Sequence, residues 1–543
     1  MAPKAPGLNI PVDMAFAFHT DAGTTQNDSI IGTLGIFYSR TDTGVFNNGI
    51  SRYASHDLTD LIQSQIVNDI RRCYEPQWSR RGMWNKSYAE ANEPNVPTML
   101  LELLSHQNFA DMRYGLDPRF RFTVSRAIYK GILQFLSSQY KQKYVVQPLP
   151  VDHFSIRFIK GNKVELKWRA VADSLEPTAM PDKYVVYTRM GNGDFDNGMV
   201  VVKNSCVLTQ RTGVAYGYKI VAINQGGAGF PSEILSAYKA TDEKGLVMIV
   251  NGFDRISGPA DFVSCGIAGF YDALDHGVPD KQAANFIGSQ NEYRRIIPWM
   301  DDDAAGFGAS NSNYESKVIA GNTFDYPALH GQAIAKAGYS YVSSSNESVM
   351  DSLVNLNEYK LVDLILGKQK QTRIGRGVHA AEFKTFPLKL QKAISEYCLQ
   401  GGNIFVSGAY VATDLWDNGD VKQEDKDFAK KILKYQWRVG QAATEGKVKT
   451  VASPFIMFLG KYDYYNTLNA ESYVVESPDG IEPADACAYS VFRYSENSLS
   501  AGVVYQGTYK TCVLGFPFES VKSSAERNQL MKSVLTFFEG SGK

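Results

Sequence analysis

Residues 13–23 read DMAFAFHTDAG, and residues 96–112 read VPTMLLELLSHQNFADM. In the first string an apolar strand from Ala15 to Phe18 ends at His19, with Asp21 two residues on. In the second, an apolar strand from Thr98 to Leu101 is followed by Glu102, and Asn108 lies six residues further. Strand ends hold side chains rigidly at the mouth of a sheet, where α/β proteins build their sites. A neutral imidazole is a good zinc ligand, and a carboxylate beside a metal makes a general base for bound water. Taken singly, each residue has a blander reading: a polar residue closing a strand, and a solvated or cation-paired acid. Between the strings, Leu58, Leu61, Ile62, Ile66 and Ile70 mark one face of a helix, with Ser55 as its cap. Val124, Ile128, Ile132 and Leu136 recur every four residues on a closing helix. Pro11 to about Tyr140 therefore reads as a sheet covered by helices.

From about Val145 to Ala240 the pattern changes to short strands between turn residues, the signature of a β-sandwich. The strings KVELKWRA with Trp168, DKYVVYTRM with Tyr184 and Tyr187, and YGYKIVAINQGGAGFPSE from Tyr216 carry it. In the last, Tyr218, Ile220 and Ala222 share one face. This stretch resembles a fibronectin type III module, whose penultimate strand has the same Tyr, Ala and Asn spacing. The resemblance implies spacing or docking of neighbours rather than chemistry.

From Gly245 onward strand and helix alternate again. GLVMIVNGF, LVDLILG (Leu361 to Gly367) and NIFVSG (Asn403 to Gly408) are continuous apolar runs, as in a parallel sheet buried on both faces. A helix with Pro387 in its first turn, core-facing Leu390, Ile394 and Tyr397, and a Gly401-Gly402 stop precedes the third run. The chain closes with CVLGFPFE and a helix opened by a Ser523 to Glu526 capping box. This part resembles the class I glutamine amidotransferase-like, flavodoxin-like fold. That family needs a cysteine on a Gly-flanked elbow, and none of the six cysteines has that setting, so the expectation is a fold relative without the amidotransferase chemistry.

Length and composition agree with such a chain. At about 100 to 200 residues per domain, 543 residues make three or four domains. The expected division is 1–143, 144–241 and 242–543: a partial α/β domain, an all-β sandwich and a C-terminal α/β domain. Lys plus Arg total 56 and Asp plus Glu 57, giving a net charge of −1 with no basic concentration, so nucleic acid is not an expected partner. No apolar run approaches the length of a membrane span. The scattered cysteines, without CxxC spacing, read as buried free thiols. Tyrosine, at 31 the commonest aromatic residue, suits wet clefts and strand surfaces.

Together the two opening strings resemble the catalytic domain of zinc-dependent N-acetylmuramoyl-L-alanine amidases of the type 3 family. There a strand ends in a zinc-binding His within a Ser-x-His-x-Asn/Asp-Ala string, which FAFHTDAG matches with His19 as ligand. A Gly before an aromatic-rich strand follows, supplied by Gly32 and Tyr38, and then an Arg-Gly pair, Arg81-Gly82. The family's catalytic Glu stands in a Leu-Val-Glu-x-Gly-Phe-x-x-Asn strand, and LLELLSHQN puts Glu102 and Asn108 in register, with Leu104 where Gly is usual. VSRAIYKGILQFL fits its closing helix. The resemblance covers residues 11 to 140 and implies a peptidoglycan hydrolase with zinc on His19, Glu102 as catalytic base, and Asp21, Arg81 and Asn108 around the ligands or substrate.

One departure matters. The family takes a further His and a Glu ligand from strands preceding this segment, and the ten residues MAPKAPGLNI before Pro11 hold neither. The expectation is an N-terminally truncated catalytic domain that binds zinc poorly by itself, unless Asp21, His56 or His106 is recruited. The three-part arrangement also resembles large secreted Bacteroidetes proteins often labelled xanthan lyase or amidase, which implies a secreted, periplasmic or cell-surface location. Two other functions stay open: a surface carbohydrate-binding or adhesion protein with a vestigial amidase part, and a polysaccharide lyase. Asp301 to Asp303 read as a solvated loop rather than a calcium site, His379 and Glu382 lie three apart on a helical turn without a third ligand, and Ser407 lacks a hydrolase elbow. His153, His276 and His330 show no partners.

Overall fold

A computed structural model of the protein describes residues 11–23, 29–264, 267–283, 288–290, 293 and 317–540. Cys265 and the Asp301 to Asp303 run lie outside the described residues. The amino-terminal part is a four-stranded sheet of β1 (Ala15–Asp21), β2 (Leu34–Phe37), β3 (Trp84–Asn85) and β4 (Thr98–Ser105), in the order β1-β4-β2-β3. β1 runs parallel to β4, and β4 antiparallel to β2. Two long helices, α1 (Tyr53–Cys73) and α2 (Pro118–Tyr140), cover one face. Leu58, Ile62 and Ile66 of α1 and Phe120, Val124 and Phe135 of α2 share a core with Met99, Leu101 and Leu103 of β4. The opposite face buries a smaller group, Leu34, Ile36 and Leu100 with Ala17 against them.

Two sequence expectations shift here. Both apolar runs continue past the polar residue taken to end them, so β1 reaches Asp21 and Glu102 sits in the middle of β4. A single acid does not end a strand when its own face is only lightly covered. Ser55 lies inside α1 instead of capping it, and its hydroxyl accepts from the Thr98 amide at 3.1 Å, tying helix to sheet.

The strands from Asp152 to Tyr238 form two packed sheets, with Trp168 edge-on to Tyr184 and Tyr218, Ile220 and Ala222 in the core between them. Beyond them, five parallel strands take the order 340–345, 246–251, 361–367, 403–408, 510–514. Numbered along the chain this is 2-1-3-4-5, the order of flavodoxin-like sheets. The sandwich docks on the second of these strands: Tyr238 pairs with Tyr341, Ser155 pairs with Ser344, and the Ser236 amide donates to Ser343 Oγ at 2.7 Å. The Leu388–Leu399 helix buries Leu390, Ile394 and Tyr397 as expected, with Pro387 one residue before its first turn. The Ser523 hydroxyl accepts from the Glu526 amide at 3.4 Å, while Glu526 Oε2 is buried without a partner, so the box closes on one side only.

Most tyrosines are interior, against the expectation of wet surfaces: Tyr218, Tyr341, Tyr397, Tyr435, Tyr462, Tyr473 and Tyr494 are all fully buried. Of the described cysteines, Cys398 and Cys512 are buried, Cys73 and Cys206 half-buried and Cys487 exposed, all as free thiols. His379 falls on a bend and Glu382 in a β-bridge with Thr372, neither on a helical turn, and Glu382 pairs with Arg119 at 2.8 Å. His153 and His276 each have an acid nearby, Asp351 at 3.1 Å and Asp272 at 3.5 Å. His330 is fully buried between Asp363 (2.8 Å) and Glu519 (3.2 Å), and Tyr473 donates to the far oxygen of Glu519.

Two outcomes test this architecture. A Cβ on Gly131 of α2 would lie 2.7 Å from the Ile62 Cα of α1, so Gly131→Leu should lower unfolding free energy by about 1–3 kcal/mol or more in urea titration. Burial alone would lower the pKa of His330, but the Asp363 charge and the hydrogen bonds to Asp363 and Glu519 outweigh it, raising the value from 6.5 to about 9. Because the folded value exceeds the unfolded one, the stabilisation is full below pH 6.5 and disappears as pH rises through 9. The full effect is about 3 kcal/mol. Urea midpoints should fall across that interval, and His330→Gln should be less stable at low pH with that fall removed.

Candidate functional site

β1 and β4 are adjacent and parallel, and their register sets His19 directly opposite Glu102. Side chains alternate along a strand. Glu102 therefore shares a face with Leu100, and His19 shares one with Ala17, which is the face away from the two long helices. That face is where a solvent-accessible pair can stand. His19 is about two-fifths exposed, and its Nε2 lies 3.6 Å from Glu90 Oε1, on the short helical turn Ala89–Asn92. Glu102 is half-buried, and its Oε2 is screened from solvent without a hydrogen-bond partner. Burial, followed by the charge of Asp21, raises the Glu102 pKa, with His19 and Arg81 opposing. A carboxyl held in that condition can take up and release a proton.

Asp21 stands at the end of β1, after a register shift, and is held by Arg81 at 2.5 Å. Burial pushes its pKa up, but the Arg81 hydrogen bond and charge and the Ala22 amide outweigh this and bring it below the ordinary value. The Arg81 guanidinium also lies over the Trp84 ring at 5.7 Å. Gly32 adopts φ +77°, and a Cβ there would meet the Ser79 carbonyl at 2.2 Å. The structure thus brings together His19, Glu102, Asp21 and Arg81.

Asn108 lies elsewhere. It is buried as the cap of the Phe109–Gly115 helix, accepts from the Ala110 amide and donates to the Ser29 carbonyl at 2.8 Å. His106 meets Thr20 Oγ1 at 3.1 Å, and His56 pairs with its neighbour Asp57 on α1.

Sequence reading passed over three residues of this region. Trp84 presents an exposed ring beside Arg81, Glu90 approaches His19, and Asp111 is fully buried. Asp111 accepts from the backbone amides of Ile31 (3.0 Å), Gly32 (3.2 Å) and Ser105 (2.9 Å), locking the loop before β2 to the end of β4. Burial raises its pKa to about 6 against those bonds. Its position three residues after a capping Asn was a readable signal, since acids at that helix position accept from nearby backbone amides.

A catalytic zinc takes three protein ligands and a water. Among the described residues no group of three His, Cys, Asp or Glu side chains comes together to hold a metal. Near His19, Asp21 is taken by Arg81 and Glu90 stands at salt-bridge distance. The described residues do not form a zinc cage.

No protein-family profile matches the chain, and no curated protein matches it. Solved structures give partial likenesses. One is an N-acetylmuramoyl-L-alanine amidase from Clostridium difficile 630, at 18% identity and a TM-score of 0.19, covering 23% of this chain and 59% of that one. Another is the N-acetylmuramoyl-L-alanine amidase AmiC2 of Nostoc punctiforme, at 17% identity and a TM-score of 0.18, covering 23% and 58%. A human FNIII domain matches at 20% identity and a TM-score of 0.16, covering 17% and 80%. The chain thus spans less than two thirds of the length of these amidases, and its partial likenesses are to N-acetylmuramoyl-L-alanine amidases and to fibronectin type III domains.

Proposed function

We propose that the protein is a cell-wall hydrolase related to N-acetylmuramoyl-L-alanine amidases, acting on the amide between the muramic lactyl group and L-alanine in peptidoglycan. The observation that carries this reading is the pairing of His19 with Glu102 on adjacent parallel strands, on the open face of the sheet, with one carboxylate oxygen buried and unpartnered. In this reading Glu102 takes a proton from water as its oxygen attacks the amide carbon. The C–N bond then breaks, and Glu102 passes the proton to the departing amine. Arg81 holds Asp21 and fixes the end of β1, and Trp84 offers a ring face for a sugar. Zinc on His19 belongs to this proposal as a weakly held ion, because the cage around His19 is incomplete.

The second reading, a surface glycan-binding protein with a vestigial site, is favoured by that incomplete cage. Secretion or surface display accompanies either reading. Among the described residues no helix is long and apolar enough to cross a membrane.

Purified chain should carry substoichiometric zinc by metal analysis; one zinc per chain, lost on His19→Ala, would show that the cage is complete after all. Incubated with peptidoglycan and added zinc, the chain should release new L-alanine amino termini slowly. Glu102→Gln should cut that rate by about 10²-fold or more, the usual contribution of a positioned base. Glycan binding with no released amino termini would decide for the second reading.

A further inference from the structure

In a 2-1-3-4-5 parallel sheet, ligands bind outside the carboxyl ends of the strands, where the chain reverses between the first and third. Here those strands end at Asn251 and Gly367, and beyond them opens a cleft of about 430 Å³. Its other wall comes from the amino-terminal part, through Arg113 and Leu116. A volume of that size suits a small molecule.

The charges in this cleft are not balanced pair by pair. Arg255 and Lys370 share one carboxylate, Asp275, at 2.5 and 2.7 Å. Beneath them Lys368 is matched by Glu476 at 2.7 Å. Arg113 and Arg373 share a second carboxylate, Asp261, at 2.5 and 3.0 Å. Asp117, also in the wall, is already held by Arg119 at 2.6 Å. Two carboxylates each serve two cations, and even with Arg119 shared between Asp117 and Glu382 one positive charge is left in excess around the concavity. Arg255 is buried and spends its donors on Lys368, Thr372 and Asp275, so the donors left for a ligand are the Lys370 ammonium and the more open guanidinium of Arg373.

An adjoining hollow of about 350 Å³ shares Leu116, Gly258 and Pro259 with the cleft. It is walled by Phe122 and Phe230, an edge-to-face pair at 5.6 Å that is exposed to solvent. Arg121 lines it too, donating to the Gly115 carbonyl and pairing with no carboxylate among the described residues. Excess cations beside exposed aromatic rings suit a ligand with carboxylates and flat C–H faces.

We propose that the cleft and its adjoining hollow bind an acidic oligosaccharide, with a carboxylate on Lys370 and Arg373 and a sugar ring against Phe122 and Phe230. None of these residues belongs to the His19 and Glu102 face, so the site stands whether or not the amide is cleaved.

Calorimetric titration of the full chain tests it. The probes are trigalacturonic acid, its neutral methyl ester, the N-acetylglucosamine–N-acetylmuramic acid disaccharide and inorganic phosphate. At least one acidic saccharide should bind, with the ester weaker by about tenfold. Arg373→Gln and Phe230→Ala, both at exposed side chains, should each weaken binding by about tenfold with the thermal midpoint unchanged. The proposal is overturned if neither acid binds, if acid and ester bind alike, if both variants bind as the parent does, or if phosphate alone binds as tightly as the saccharides.

Discussion

The amino-terminal sheet depends on apolar contacts that arrive from beyond the sandwich module, more than 150 residues along the chain. Phe109, at the start of the helix after β4, lies 5.4 Å from both Phe270 and Tyr293, and Ile374 joins the same core. Burying an aromatic side chain of this kind contributes about 1.5–3 kcal/mol, whereas an exposed ion pair contributes about 0–1 kcal/mol. The rings, more than the Arg119–Glu382 or Arg373–Asp261 pairs around them, therefore hold the two α/β parts together. The amino-terminal core is not closed by its own helices alone, since Phe270, Tyr293 and Ile374 pack into it. Its completion by Phe270, Tyr293 and Ile374 also explains why a cleft exists between the two parts, since the same packing brings Arg113 and Leu116 over the strand ends of the second sheet.

What could be read from the sequence was what is local. Apolar runs such as LVDLILG and NIFVSG announce buried parallel strands because both faces are covered, and the four-residue spacing of Val124 to Leu136 announces a helix face. Taken singly, His19 and Glu102 read only as polar residues closing strands; the resemblance of their two strings to the amidases joins them, and strand register sets them side by side. Long-range partners left no local trace. His330 meets acids 33 and 189 residues away, and the carboxylate that serves Arg113 lies 148 residues on. The tyrosines misled because a phenol is amphipathic. Given a partner for its hydroxyl, as Tyr218 has in Gln210, it is as good a core residue as phenylalanine.

The sandwich module is more than a spacer. Its last strand continues into the parallel sheet through Tyr238 and Tyr341, and Ser236 and Ser343 exchange hydrogen bonds at that seam. Arg189 of the module grips Asp325 of the last part with two bonds of 2.7 Å, a planar fork that fixes orientation as well as distance. The Phe230 ring, at the tip of the module, is thereby set against Phe122 of the first part. Three parts of the chain meet at that hollow, and a ligand lying there would contact all of them.

Two acids nine residues apart, Asp111 buried and Glu102 half-buried, are held in opposite ways in the first sheet. Asp111 accepts three backbone amides, so its charge is compensated by groups the fold itself supplies, and removing it would release a loop and a strand end. Glu102 has an oxygen equally hidden from solvent with nothing bonded to it. Leaving such a group unsatisfied costs about 1–3 kcal/mol, and a sheet built only for stability would place a leucine there, as it does at Leu100 and Leu104 on either side. An unsatisfied carboxylate kept opposite a histidine, on the face away from the two long helices, is in keeping with the proton transfer proposed for it.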